Sequence, residues 1–168
     1  MPPGALSRAV FFALCALESR PRSRVYSGTM ERARVQILPP ETAKRIAAGE
    51  VIERPASALR ELLDNSLDAG ADSITVDLQD GGMGLLCVSD NGSGMDKEDL
   101  ALSVLPHATS KIRQADDLLT LSTLGFRGEA LASMAAVARV EIVSASSDDE
   151  AWRLYTSPNE EARLERCS

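Results

Sequence analysis

Glu61, Asn65 and Asp68 follow one another at spacings of four and three. On a helix turning about 100° per residue they fall within roughly 60° of each other, nearly opposite Leu59 and Leu63. A carboxylate can accept a proton from water, and an amide oxygen one turn later can hold water or Mg2+. A solvated face is the ordinary reading of a polar stripe, and the choice of residues is what argues for chemistry. Asp64 lies off to the side, where Arg60 can neutralise it.

A second candidate is Asp90-Asn91-Gly92-Ser93-Gly94. As a turn it needs no ligand, because Asp and Asn bond their own backbone and Gly accepts positive φ. As a site it sets Asp90 at the end of a buried strand, where it can accept a hydrogen bond from a base amino group. Gly92 and Gly94 would let that ligand lie against the backbone. In a third segment, Gly125-Phe126-Arg127-Gly128 leads into a helix beginning at Glu129. Open amide donors and the positive end of the helix dipole make such an entry an anion site, to which Arg127 adds a charge. Ser110 and Lys111 are further candidate phosphate contacts, whereas His107 reads as structural.

The elements that must carry these residues are legible from periodicity. Thr42–Ala48 reads as a short helix ended by Gly49, and Ala56–Leu67 as an amphipathic helix behind Pro55 with Leu59, Leu62, Leu63 and Leu67 inward. Ile74, Val76 and Leu78, a glycine turn, and Leu85–Val88 read as an antiparallel hairpin. Asp96 with Asp99 three residues later predicts an N-cap for a helix through Val104. A short helix over Asp116–Leu121, a helix over Glu129–Val137 and strands over Arg139–Ala145 and Trp152–Thr156 complete the set.

The 168 residues contain 18 Lys+Arg against 25 Asp+Glu, a formal charge of −7, so the surface as a whole repels a phosphate backbone and little DNA affinity is expected. Residues 1–29 carry four arginines against Glu18, a local +3 that leaves −10 elsewhere. They read as a basic, disordered extension ahead of a unit over 30–156, with an irregular tail over 157–168. A targeting signal in the extension is weak. Cys15, Cys87 and Cys167 with the single His107 allow no zinc or haem spacing. The longest apolar run, Ala9–Leu17, falls short of the roughly 18 to 20 residues that span a bilayer, so no membrane partner is expected. P-loop, Rossmann, nucleophile-elbow and EF-hand patterns are absent.

Ile37-Leu38-Pro39-Pro40, Ile46-Ala47-Ala48-Gly49-Glu50-Val51, Glu53-Arg54-Pro55-Ala56-Ser57, Glu61 to Ala71, His107-Ala108-Thr109-Ser110-Lys111 and Gly125 to Leu131 closely resemble the MutL family of DNA mismatch repair proteins. The resemblance runs from about Val35 to Ala145 with the motifs in family order. It implies the α+β fold of the gyrase, Hsp90, histidine-kinase and MutL ATPases. That fold is a two-layer sandwich with helices on one face of a mixed, mostly antiparallel sheet, here incomplete at its C-terminal end. It further implies ATP and Mg2+ as cofactors, Glu61 as general base, Asn65 as Mg2+ ligand, and Asp90 as adenine reader. Asp68, Gly92, Gly94 and Glu129 would help form the pocket, and the His107 to Lys111 segment, with Thr109, Ser110 and Lys111 as contacts, together with Gly125, Phe126, Arg127 and Gly128, a phosphate-covering lid. In the family's full-length context the partners are DNA, a mismatch-recognition protein and a second N-terminal region joined on ATP binding, with a cytoplasmic location in bacteria and a nuclear one in eukaryotes. Two readings compete: a kinase- or chaperone-type ATPase, and a nucleotide-binding or interaction module without turnover of its own. MutL proteins extend well beyond this length, so the chain alone is expected to bind ATP weakly and turn it over slowly if at all.

Overall fold

Strands form where apolar residues alternate with polar ones between turns, and in the computed structural model they make a six-stranded sheet. The structure describes residues 11–15, 35–108, 129–147, 150–158 and 160–167. The strands are β1 (Phe11–Cys15), β2 (Ile74–Gln79), β3 (Leu85–Asp90), β4 (Arg139–Ser147), β5 (Glu150–Thr156) and β6 (Arg163–Cys167). Their order is β2-β3-β1-β4-β5-β6, and each pairing is antiparallel rather than mixed. The hairpin expected from the glycine turn is β2–β3, with Val76 opposite Val88 and Leu78 opposite Leu86.

Among the described residues there are four α-helices, α1 (Pro40–Val51), α2 (Pro55–Asp68), α3 (Lys97–Leu102) and α4 (Ala130–Val137); α2, α3 and α4 pack on one face and α1 packs on α4. Leu86 and Val88 of β3, Val140 and Ile142 of β4 and Leu154 of β5 meet Ala58 and Leu62 of α2, Leu100 of α3 and Met134 of α4 in a single core. Burying a leucine or isoleucine side chain there contributes about 1.5–3 kcal/mol. In α2 the buried line is Ala58, Leu62 and Ser66, every fourth residue, with Leu59 and Leu63 packed at its flank. Leu67, expected inward, is 61% exposed, because the helix turns its core side toward Ser66 instead. The Asp96 cap is as expected: its side chain accepts from the Asp99 amide at 2.8 Å, and Lys97 lies 4.6 Å over the Trp152 ring, fastening α3 to β5.

Several expected boundaries move. α1 passes through Gly49 to Val51, since the roughly 1 kcal/mol a helical glycine costs is offset by packing against α4 and burial of Ala48. α3 stops at Leu102 rather than Val104. Phe11–Cys15, read as part of an extension, forms a central strand between β3 and β4, where each flank supplies backbone partners that a lone edge would lack. The tail read as irregular contains β6, paired along β5 from Ala151 to Tyr155. The helix expected over Asp116–Leu121 lies outside the described residues. Among the described residues, no helix is long and apolar enough to cross a membrane.

Candidate functional site

Asp90 ends β3 on the helix-covered side and is 5% exposed. A carboxylate so placed must find donors, and each oxygen has one: Ser66 Oγ donates to Oδ2 at 2.8 Å and the Gly92 amide donates to Oδ1 at 2.9 Å. Ser66 directly follows Asn65 in α2, so this pair fixes the end of β3 against the inward line of the helix that carries Asn65. Glu61 and Asn65 are half-buried there, whereas Asp68, one turn on, is exposed. Arg60 Nε stands 3.9 Å from Asp64 Oδ2, the surface pairing expected for those two.

The loop after Asp90 is held at both ends. Asn91 Oδ1 accepts from the Asp72 and Ser73 amides at 3.0 Å each, and its Nδ2 donates to Asp72 Oδ1 at 2.6 Å, tying the loop to the start of β2. At the other end the Met95 amide donates to Ser144 Oγ at 2.7 Å, so the loop reaches β4 on the far side of β1. The close approaches at its glycines are to the chain itself. A Cβ on Gly92 would stand 2.8 Å from Ala69 Cβ, and one on Gly94, whose φ is +67°, would fall on the Ala145 carbonyl oxygen.

Glu129 precedes α4, and its Oε1 lies 3.2 Å from His107 Nδ1, an ion pair when the imidazole is protonated. Thr109, Ser110, Lys111, Gly125, Phe126, Arg127 and Gly128 lie outside the described residues. The structure therefore brings Asp90, Gly92 and the Asn65 end of α2 together. It adds two residues that sequence reasoning missed, Ser66 and Ser144, and gives Asn91, read as a turn residue, its backbone partners at Asp72 and Ser73. Ser66 carried a signal, a small hydroxyl residue eight positions after Ala58 on the helix's inward line. Ser144 carried none, because its partner is 49 residues away in sequence.

Comparison with known proteins decides what such an arrangement belongs to. The Histidine kinase-, DNA gyrase B-, and HSP90-like ATPase family matches residues 52–163. This chain belongs to that ATPase family. Within the family its resemblance is to MutL, as the motifs imply. It is 52% identical over 129 residues to the DNA mismatch repair protein MutL of Serratia proteamaculans, covering 76% of this chain and 21% of that protein. It is 62% identical over 115 residues to MutL of Treponema pallidum, covering 68% of this chain and 18% of that one. A solved N-terminal domain of a DNA repair protein superposes with a TM-score of 0.61 at 33% identity, over 75% of this chain and 35% of that chain. This ATPase-family chain thus spans about a fifth of the length of the curated MutL relatives. Its helices on an antiparallel sheet are the α+β architecture of the family.

Proposed function

We propose that this chain is the nucleotide-binding part of an ATP-driven switch in DNA mismatch repair. The observation that carries the reading is the buried Asp90 carboxylate, pinned at the end of β3 by Ser66 of α2, the helix that also bears Glu61 and Asn65. A carboxylate offers about four lone-pair positions, of which Ser66 and Gly92 occupy one on each oxygen. The rest can accept from the exocyclic amino group of adenine.

Glu61 orients the attacking water and takes its proton, and Asn65 offers an amide oxygen to Mg2+. The donor set fits that ion. Among the described residues no cluster of three or more His, Cys, Asp or Glu stands to hold a metal alone, and Mg2+ in phosphoryl-transfer sites is shared between one or two protein oxygens, water and phosphate. The ion, when bound, neutralises charge on the triphosphate. The residues around it need only position and polarise, since phosphoryl transfer calls for little covalent help from protein. Asp68, exposed at the end of α2, and Glu129, beside His107, are assigned by the same reading to the nucleotide site. Phosphate contacts are proposed for Thr109, Ser110, Lys111 and Gly125 to Gly128.

Turnover, closure onto a second copy, and contact with DNA and a mismatch-recognition protein are proposed for the longer protein. The 168-residue chain is expected to bind Mg-ATP weakly and to hydrolyse it slowly. The deciding experiment is thermal unfolding and limited proteolysis with and without millimolar Mg-ATP. A bound nucleotide raises stability by mass action, about 2.7 kcal/mol at a hundredfold excess over Kd. Protection by Mg-ATP but not by Mg2+ alone supports the reading, and equal melting under both conditions removes it.

A further inference from the structure

Ser66 sits on the core line of α2 at 2% exposure, a position that alanine could fill as well as it fills Ala58. Its hydroxyl hydrogen has two acceptors in reach, Asp90 Oδ2 at 2.8 Å and its own helix's Leu62 carbonyl at 3.1 Å. The Leu62 carbonyl stands within the helix and already takes part in its backbone bonding, whereas a buried carboxylate oxygen left without a donor is costly. The hydrogen therefore belongs on Asp90.

What that bond does is geometric. The last torsion of an aspartate is broad, so the single Gly92 amide on Oδ1 leaves the carboxylate plane able to turn. A second donor on Oδ2, from a rigid helix, holds the plane and with it the direction in which the remaining lone pairs point. A plane so held discriminates: a purine carrying an amino group at position 6 can donate to it, and one carrying an oxo group there meets it acceptor to acceptor.

We infer that Ser66 is a positioning residue for nucleotide specificity, fixing the Asp90 carboxylate so that it selects purine triphosphates with a 6-amino group. The inference rests on the proposed reading of Asp90 as the base-recognising group.

The experiment measures affinity by calorimetry for Mg-ATP, for Mg-GTP and for purine riboside 5′-triphosphate, which lacks any group at position 6. The unsubstituted chain is compared with Ser66→Ala, Ser66→Thr and Asp90→Asn. Ser66→Ala is expected to weaken ATP about tenfold, the loss of one hydrogen bond to a charged group, while binding of the purine riboside triphosphate stays within about twofold. Ser66→Thr restores the hydroxyl and with it the preference for ATP over GTP. If Ser66→Ala does not fold, Ser66→Cys, nearly the same size and a weak donor, is expected to show the same selective loss.

Equal weakening of all three nucleotides by Ser66→Ala or Ser66→Cys, or no weakening of any, overturns the positioning role and leaves the ATP reading standing. If instead the unsubstituted chain binds no nucleotide, or Asp90→Asn binds ATP as tightly as it does, the base-recognition reading itself falls and the role of Ser66 with it.

Discussion

On the helix-covered face of the sheet, Asp90 is 5% exposed and receives one donor on each oxygen, from α2 and from the loop that follows β3. On the opposite face Arg153 of β5 lies 3.3 Å from Glu141 of β4 and 3.7 Å from Glu165 of β6, with carboxylate side chains 33% and 60% exposed. Its guanidinium also donates to the Tyr155 hydroxyl at 3.2 Å. Both are polar assemblies that bridge separate elements; in the second Arg153 Nε is shielded, while both carboxylates stay open to water. An exposed ion pair gains little, because solvent screens it and long side chains lose freedom in forming it. A buried carboxylate must be satisfied completely, so its orientation is determined by its donors. The proposed base recognition needs a carboxylate held in that way, and the charged ladder on the open side lacks such a constraint.

The largest expected effect on the buried side is on turnover. In a full-length protein carrying this domain, Glu61→Ala should retain ATP binding and lose about 10²–10⁴-fold in kcat, the usual worth of a positioned proton acceptor. Normal hydrolysis by that variant would assign the base elsewhere. Next is the loop that links Asp90 to β4. Gly94→Ala puts a methyl on the Ala145 carbonyl at a φ of +67° and should cost about 2–4 kcal/mol in urea unfolding. An unchanged midpoint would mean that the loop is not clamped as described.

Asp90→Asn should lower ATP affinity about tenfold or more while costing only about 1 kcal/mol of stability. Its amide can donate to Ser66 Oγ, whose hydrogen then moves to the Leu62 carbonyl at 3.1 Å. A large loss of stability would show that the buried pair serves the fold rather than the ligand. Across the sheet, Arg153→Met should change stability by less than about 1 kcal/mol, since Arg153 is 38% exposed. A loss several times larger would erase the contrast between the two faces.

The smallest effect concerns Cys87, beside the same ladder. Burial raises its thiol above the ordinary value, Asp77 and Glu141 raise it further, and a Ser89 hydrogen bond opposes them. A group whose folded pKa is raised contributes stability below its unfolded value and loses it as pH climbs through the folded one. Mildly alkaline solution should therefore destabilise the fold slightly. Peptide-mapped alkylation in that range should modify Cys87 more slowly than the half-exposed Cys167. Equal rates would show that Cys87 is accessible.

Much of this was legible in the linear pattern where partners are close in sequence. The Asp96 cap depends on Asp99, three residues away, and the β2–β3 register follows from one glycine turn. The spacing of Glu61 and Asn65 announces a shared helix side by itself. Errors arose where distant packing chose between local options. Leu67 had the right spacing for the core and lost its place because α2 rolls toward Ser66 and Asp90. Phe11–Cys15 looked like part of a basic extension, and only the presence of β3 and β4 on either side makes it a strand.

The order of residues along the chain determined which elements form, which family the chain belongs to and which side chains are chemically able to act, because periodicity and motifs are local properties. The tertiary structure decided where Asp90 points and what holds the loop beyond it. Those contacts join Ser66 to a residue 24 positions away and Met95 to one 49 positions away, and a pairing at such separation exists only after the sheet and helices have packed.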